Sequence, residues 1–333
     1  TSYEAGVELS FLDSRLGVDI TAYYGETKDQ ILPLSLSGTT GYTSQIINAG
    51  LISNQGIELT LKGLPVKTKE FEWQITGTFS SNKNKVKELL DGVDYYRLAN
   101  APFKVEVGAY VGQEYGVIMG TDYVYNDKGE KIVSDGLYES TSGNVPLGSV
   151  YPKALVGITN TFKYKNLDFS FLFDGQFGGK FFSTSHMWGM YSGMLEETAG
   201  LNELGNKKRD NPDDDGGVLV SGVNEDGTPN TTRVDAETWG GHFYTGPAAQ
   251  NVFKSDFVKL REVTLGYNIP LNSGSAIKGL RVSAYGRNLL LFGPDTKHFD
   301  PEMATTSSGN IQGIEGGALP SVATFGLNIG LQF

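Results

Sequence analysis

The sequence predicts an all-β protein built as an antiparallel up-and-down sheet of the kind that forms a transmembrane β-barrel wall. Three observations carry this. Apolar and polar residues alternate with period two through nine segments, the spacing at which a strand turns alternate side chains to opposite faces. The connections between these segments run short, long, short, long to the end of the chain. No apolar run approaches the roughly 20 residues that a membrane helix needs, LLLF at 289–292 being about the longest.

In the first strand Tyr3, Ala5, Val7, Leu9 and Phe11 alternate with Glu4, Gly6, Glu8 and Ser10. After the LDSR turn, Leu16, Val18, Ile20, Ala22 and Tyr24 alternate with Gly17, Asp19, Thr21 and Tyr23. The third sets Ile57, Leu59 and Leu61 against Glu58, Thr60 and Lys62; the fourth sets Phe71, Trp73, Ile75 and Phe79 against Glu72, Gln74, Thr76 and Ser80. Ala154, Val156, Ile158, Phe162 and Tyr164 line one face of the fifth, and Leu167, Phe169, Phe171 and Phe173 one face of the sixth. FVKLREVTLGYNIP (257–270) and LRVSAYGRNLLLF (280–292) supply the seventh and eighth. The ninth, SVATFGLNIGLQF, ends the chain on an aromatic with one face apolar and the other polar or glycine.

Strands one and two meet near Asp13–Arg15, three and four at GLPVKTKE (63–70), five and six at YKN (164–166), and seven and eight through LNSGSAIKG (271–279). The intervening connections are long: some two dozen residues between two and three, then the loops 83–149, 179–253 and 293–318. All short turns therefore lie at one end of the sheet and all long loops at the other. Greek-key sandwiches do not sort their connections this way; outer-membrane barrels do, with short periplasmic turns and long external loops. About ten patterned residues per strand suffice to cross a bilayer when tilted. Aromatics fall near strand ends, where interfacial girdles belong: Phe71, Trp73, Tyr164 and Tyr267 at the short-turn end, Tyr24, Phe177 and Phe181 at the other.

Parity adds an expectation. If the ninth strand ends in the periplasm, the first begins at the outer surface, whereas bacterial barrels have even strand numbers. The nine strands are then the C-terminal portion of a larger barrel whose other staves precede Thr1.

The formal net charge of −11 argues against nucleic-acid binding. Cysteine is absent, which excludes disulfides and thiolate metal sites, and His186, His242 and His298 are scattered. No nucleophile elbow, phosphate loop or dinucleotide fingerprint occurs, so no catalytic residue is assigned and the chain reads as a non-enzyme.

Several phrases resemble those of SusC/RagA-type TonB-dependent outer-membrane transporters: NAGLISNQGIELTL (48–61), YVGQEYGVIMG (110–120), FVKLREVTLGYNIP (257–270), GRNLLLFG (286–293), DPE (300–302) and the closing strand, in the family's order. The resemblance implies a 22-stranded barrel plugged by an N-terminal domain, of which residues 1–333 supply strands 14 to 22, with the plug and TonB box outside this chain. It implies an outer-membrane importer of oligosaccharides or peptides, energised through TonB and working beneath a SusD-like lipoprotein. The competing readings are a passive porin or structural barrel without energy coupling, and a soluble β-sandwich.

The loop 179–253 holds the chemistry-bearing candidates. Trp188, Tyr191, Trp239 and Tyr244 are flat rings suited to stacking on sugars or peptide side chains, or to packing the loop. NPDDDG (211–216) fits the opening of a calcium loop, with Asn211, Asp213 and Asp215 as oxygen donors, but Gly222 stands where the closing bidentate Glu belongs. Eleven acids against five bases make the loop strongly acidic, a solvated face or a docking face for a partner. On the strands, Lys259, Arg261, Arg281 and Arg287 are expected to face the lumen or rims, paired with acids such as Glu262 or Asp168. Lys259 and Arg261 share parity with Val263, Leu265 and Tyr267, so that strand must rise out of the bilayer or bend there.

Overall fold

Hydrocarbon on one side and water on the other dictate a sheet whose two faces share nothing. The computed structural model describes residues 1–35, 44–101, 104–271, 277–304 and 312–333. Nine strands form one sheet in chain order, each antiparallel to the next: β1 (Ser2–Phe11), β2 (Leu16–Ser35), β3 (Ser44–Lys67), β4 (Phe71–Glu88), β5 (Ala154–Tyr164), β6 (Leu167–Phe177), β7 (Phe257–Ile269), β8 (Gly279–Phe292) and β9 (Thr324–Gln332). Among the described residues β1 and β9 do not pair with each other, so the sheet is an open wall. Most of the turn expected between the seventh and eighth strands (272–276) lies outside the described residues.

The register makes the two faces explicit. One row across the wall reads Leu9, Val18, Leu61, Gly77, Ile158, Phe173, Leu260, Leu290. The neighbouring row on the opposite face reads Ser10, Gly17, Lys62, Thr76, Thr159, Leu172, Glu262, Arg287, Thr324. Among the described residues nothing covers the apolar face: Phe325, Leu327 and Ile329 are 65–79% exposed, a surface that water would not tolerate at this extent. Asn160 is a polar exception on that face. It is buried, and its Oδ1 accepts the Trp73 indole N–H at 3.0 Å. Trp73 in turn stacks on Phe162 at 5.8 Å, inside an aromatic row with Phe71, Phe169 and Phe171.

The strands outrun the pattern that predicted them. Residues 25–35 and 44–56, read from sequence as connection, continue β2 and β3 as one hairpin, and β4 runs on to Glu88. The apolar face ends near Tyr24 on β2 and Phe79 on β4; beyond come Glu26, Lys28, Ser81, Lys83 and Lys85. Backbone ladders need no greasy side chains in water, so hydrogen bonding persists where amphipathic alternation stops. About ten residues at a tilt of roughly 45° still match the apolar band of about 25 Å.

The four strand cations singled out from the sequence, Lys259, Arg261, Arg281 and Arg287, all face inward. The parity conflict on β7 is resolved by a bend: the ladder slips between Leu172 and Phe173 on one side and at Leu260/Glu262 on both, leaving Arg261 as an extra residue. The bulge puts Lys259 opposite Asp174 while Leu260 joins the apolar row. Arg287 pairs with Glu262 at 2.8 Å. Arg281 on β8 grips both Asp168 oxygens on β6, reaching over β7 at Gly266. A Cβ at Gly266 would collide with the Arg281 guanidinium and sit 2.7 Å from Asp168 Oδ2.

The long connections fold together into a cap. Loop 83–149 contributes a four-stranded sheet (Tyr95–Ala101, Val105–Tyr110, Tyr115–Gly120 and Val145–Ser149). Loop 179–253 contributes helices α1 (Thr184–Tyr191) and α2 (Ala236–Thr245). A small sheet joins Val252–Lys254, Lys180–Ser183 and Ile314–Glu315, tying two loops together. One core spans all three loops, with Val105, Val107, Ile118, Leu147, Phe182, Met187, Ala248 and Ile314 among its members. Phe181, expected in an interfacial girdle, is instead wholly buried in this cap, because its strand leaves the wall after Phe177. Of loop 293–318, residues 305–311 lie outside the described residues.

Gly266→Leu is expected to displace the Arg281–Asp168 pair and destabilise the wall by about 1–3 kcal/mol. Gly77→Ala, whose new methyl meets nothing within 4 Å, is expected to be neutral. Thermal unfolding followed by heat-modifiable gel mobility in detergent compares the two.

Candidate functional site

The site of interest is the inner face of the wall where it meets the cap. Asp300 caps a short 3-10 turn, Pro301–Met303, by accepting from the Glu302 backbone N–H at 3.1 Å, which explains the DPE phrase. That turn presents Asp300 and Glu302 to the β7 bulge. Lys259 Nζ donates to Asp300 Oδ1 and Oδ2 at 2.9 and 2.7 Å, to Glu302 Oε2 at 2.6 Å and to Ser321 Oγ at 3.3 Å. Arg261 forks onto Asp174 at 2.9 and 2.7 Å and onto Glu302 at 3.0 and 2.9 Å, and donates to Asn288 Oδ1 at 2.9 Å. Both cations are thus spent on anchoring the loop after β8 to the wall. Burial raises the Asp300 and Glu302 carboxyls. The hydrogen bonds from Lys259, Ser321 and Arg261 outweigh it, and both titrate below the ordinary carboxylate range.

Beside this anchor a cleft of about 650 Å³ opens on the wall, lined by Glu58, Thr60, Thr78, Ser80, Asp174 and Gln176, with Phe257 and Glu302 at its cap end. Sequence reasoning placed the cations inward and named Asp168 and Glu262 as partners. It missed Asp300, Glu302 and Ser321 as partners of Lys259, since those lie some forty to sixty residues away in a loop. The parity break at Lys259 was the available signal.

Three of the four predicted aromatics come together. Trp188 stacks on Tyr244 at 5.2 Å and 24°, and Tyr191 meets both edge-on at 5.6 and 5.8 Å. Gly240 permits this crossing of α1 and α2, because a Cβ there would lie 2.6 Å from the Met190 carbonyl oxygen. Trp188 and Tyr191 remain exposed beside an open cavity of about 520 Å³ that Tyr191, Thr198, Arg209 and Glu237 help to line. Trp239 sits apart, edge-on to Phe243 at 5.5 Å and packed on Val133, Val218 and Val220.

In NPDDDG, Asn211 Oδ1 accepts from the Asp213 backbone N–H at 3.1 Å, Asp215 takes a left-handed φ of 59°, and its carbonyl oxygen accepts from Asn202 at 2.8 Å. The Asp213, Asp214 and Asp215 side chains are exposed. Among the described residues no three His, Asp or Glu side chains converge as a metal would require. Two of the histidines read as scattered do meet: the His186 and His298 rings lie 6.5 Å apart. His186 bonds Asn251 at 2.9 Å, tying α1 to the segment before β7, and His298 bonds Glu197 at 2.8 Å, tying the segment after β8 to the turn after α1. Burial pushes His186 below the ordinary imidazole range, so it is neutral at physiological pH.

Residues 1–140 match the family of TonB dependent receptor-like β-barrels. The chain is 29% identical to TonB-dependent receptor P26 of Formosa agariphila, over all of this chain and 34% of that protein. It is 25% identical to TonB-dependent receptor SusC of Bacteroides thetaiotaomicron, over all of this chain and 32% of that protein. The RagAB peptide transporter structure superposes with a TM-score of 0.69 at 20% identity, over all of this chain and 35% of that one. The resemblance to SusC/RagA-type TonB-dependent transporters drawn from sequence is therefore borne out. The chain spans about a third of the length of the relatives it matches.

Lys259→Met strands a buried Asp300 without its counter-charge and is expected to destabilise by about 3–5 kcal/mol, exposing residues 293–304 to limited proteolysis. Because Asp300 and Glu302 titrate low, their stabilisation is complete above the ordinary carboxylate range and lost as pH falls through their lowered values. Protection of this segment is therefore expected to hold from about pH 8 to about pH 5 and to fail only in stronger acid.

Proposed function

We propose that this chain forms the C-terminal portion of the barrel wall of an outer-membrane active importer that takes up oligosaccharides or peptides. The observation that carries the reading is the pairing of a bare apolar outer face with a polar inner face on which the cations of β7 and β8, Lys259, Arg261, Arg281 and Arg287, are each neutralised by an acid. A cap folded over one end of that wall supplies the surface against which cargo is held.

On this reading residues 1–333 correspond to strands 14 to 22 of 22. The free edges of β1 and β9 pair with the remaining staves, since an open edge in lipid leaves its N–H and C=O groups unsatisfied. The plug and TonB box belong to the part of the protein outside this chain. The cap is extracellular, and the C-terminus is periplasmic. Its acidic loop and the Trp188–Tyr191–Tyr244 cluster face the side on which a SusD-like lipoprotein would dock and deliver substrate. Trp239 serves the cap's packing. A calcium ion held by Asn211, Asp213 and Asp215 is a weak candidate, because Asn211 already caps the local turn.

The full-length transporter in planar bilayers is expected to show no steady ion conductance, and its uptake in cells to require TonB. A steady open conductance favours the passive porin instead. Trp188→Ala combined with Tyr244→Ala is expected to reduce uptake about tenfold, as loss of aromatic contacts would, at unchanged outer-membrane abundance. Unchanged uptake removes these rings as substrate contacts.

A further inference from the structure

The inner wall is chemically divided. From β6 to β8 it is charged, each cation engaged by an acid. Across the upper part of β2 to β4 it holds an uncharged patch. There a cleft of about 320 Å³ opens between wall and cap, lined by Gln30, Asn54, Asn82 and Asn84 from the wall and by Tyr115 and Tyr151 from the cap; no lining residue carries a charge. That volume lies at the lower end of the range for ligand pockets.

The amides are oriented by their own hydrogen bonds. Asn84 Oδ1 accepts the Tyr115 backbone N–H at 2.6 Å, which turns its NH2 group to the cleft. Asn82 Nδ2 donates to Tyr23 Oη and to Asn54 Oδ1, both at 2.7 Å, which leaves Asn82 Oδ1 and Asn54 Nδ2 facing outward. The cross-strand arrangement depends on Gly56: a Cβ there would lie 2.5 Å from the Tyr23 ring. The wall thus offers two amide donors, Asn54 and Asn84, directly opposite each other on the β3–β4 ladder, with the amide acceptor of Asn82 two residues along β4. Burial pushes the Tyr115 and Tyr151 phenols up, so both remain neutral donors.

We infer that this amide-and-tyrosine cleft is a binding subsite for an uncharged polyhydroxylated chain, an oligosaccharide rather than a peptide. Each sugar hydroxyl donates and accepts one bond, matching alternating amide N–H and C=O groups, and the sugar's C–H face suits the tyrosine rings. A peptide end or charged side chain desolvated there would find no counter-ion among the residues that line the cleft. The inference rests on the import reading and selects between its two substrate classes.

The test uses the full-length transporter purified in detergent. Three panels are titrated by calorimetry: neutral oligosaccharides (α- and β-linked hexamers of glucose, mannose, xylose and galactose), oligouronates, and hexapeptides of varied charge. Wild type is compared with Asn54→Ala, Gln30→Ala and the near-isosteric Asn54→Asp, whose folding is verified by heat-modifiable mobility. The expected result is binding of a neutral oligosaccharide that Asn54→Ala and Gln30→Ala each weaken about fivefold, the scale of one neutral hydrogen bond. Oligouronates are expected to bind no more tightly than the neutral sugars. Peptide binding in place of neutral sugar, or sugar binding that none of the substitutions changes, overturns the inference while leaving import standing. No binding in any panel together with a steady open conductance overturns the import reading itself.

Discussion

Hydrocarbon against one face of the sheet is the constraint on which the rest depends. A strand residue carrying charge on that face would cost kilocalories at mid-membrane, and an unpaired backbone amide would cost several more. Period-two alternation satisfies both demands wherever sequence and ladder agree. Where they disagree, the ladder yields. Lys259 and Arg261 sit at positions that an unbroken β7 would turn to lipid, and the bulge re-aims both without breaking the strand. The same bulge then defines where the loop after β8 docks, because the redirected cations need acids and Asp300 and Glu302 supply them. A rule about the outside of the barrel thus fixes a contact on its inside.

The distribution of buried side chains follows from that geometry. A barrel wall one residue thick has no interior of its own, so its apolar residues wait for lipid and its polar residues for the lumen. Nearly every bulky, wholly buried side chain belongs to the cap, Phe181, Phe182, Ile118 and Met187 among them. The cap is therefore a conventional folded layer with a dry core. Its polar interior is also satisfied: Glu315 is buried yet accepts from Ser183, from Ser185 at 2.8 Å and from the Gly317 backbone N–H at 2.8 Å. Loops held by such a core are rigid enough to carry a binding surface.

The wall was legible in the sequence because its signal is local and repeats. Nine alternating segments and the sorting of connection lengths lead to the observed strand order, and the expectation that strand cations face inward beside acids such as Asp168 and Glu262 is met by Arg281 on Asp168 and Arg287 on Glu262. The cap was not legible. Its core joins Val107, Phe182 and Ile314, far apart in the chain and without periodicity to announce them. The upper halves of β2 and β3 were read as loop, since polar strands in water keep their hydrogen bonds and lose their pattern. At the candidate site the cations were visible through the cost of leaving them in lipid. The neutral amides Asn54, Asn82 and Asn84 were invisible because no physical penalty singles out an asparagine on a wet face.

That asymmetry bears on how specificity is built. The charged part of the inner wall is self-neutralised: each cation there holds a neighbour in place, and breaking any of these pairs for cargo would leave a partner uncompensated. Structural duty and ligand recognition compete for the same charges, and in β6 to β8 structure has claimed them. The amides of β2 to β4 escape this competition, because a neutral hydrogen bond is weak enough to be exchanged with water or a hydroxyl at little net cost. Tyr115 and Tyr151 come from the cap, in whose shared core the loop after β8 also packs, and that loop is held to the wall by the ionic network at β7. On the proposed reading the charges serve recognition indirectly, by helping to hold the cap over a cleft that they do not enter.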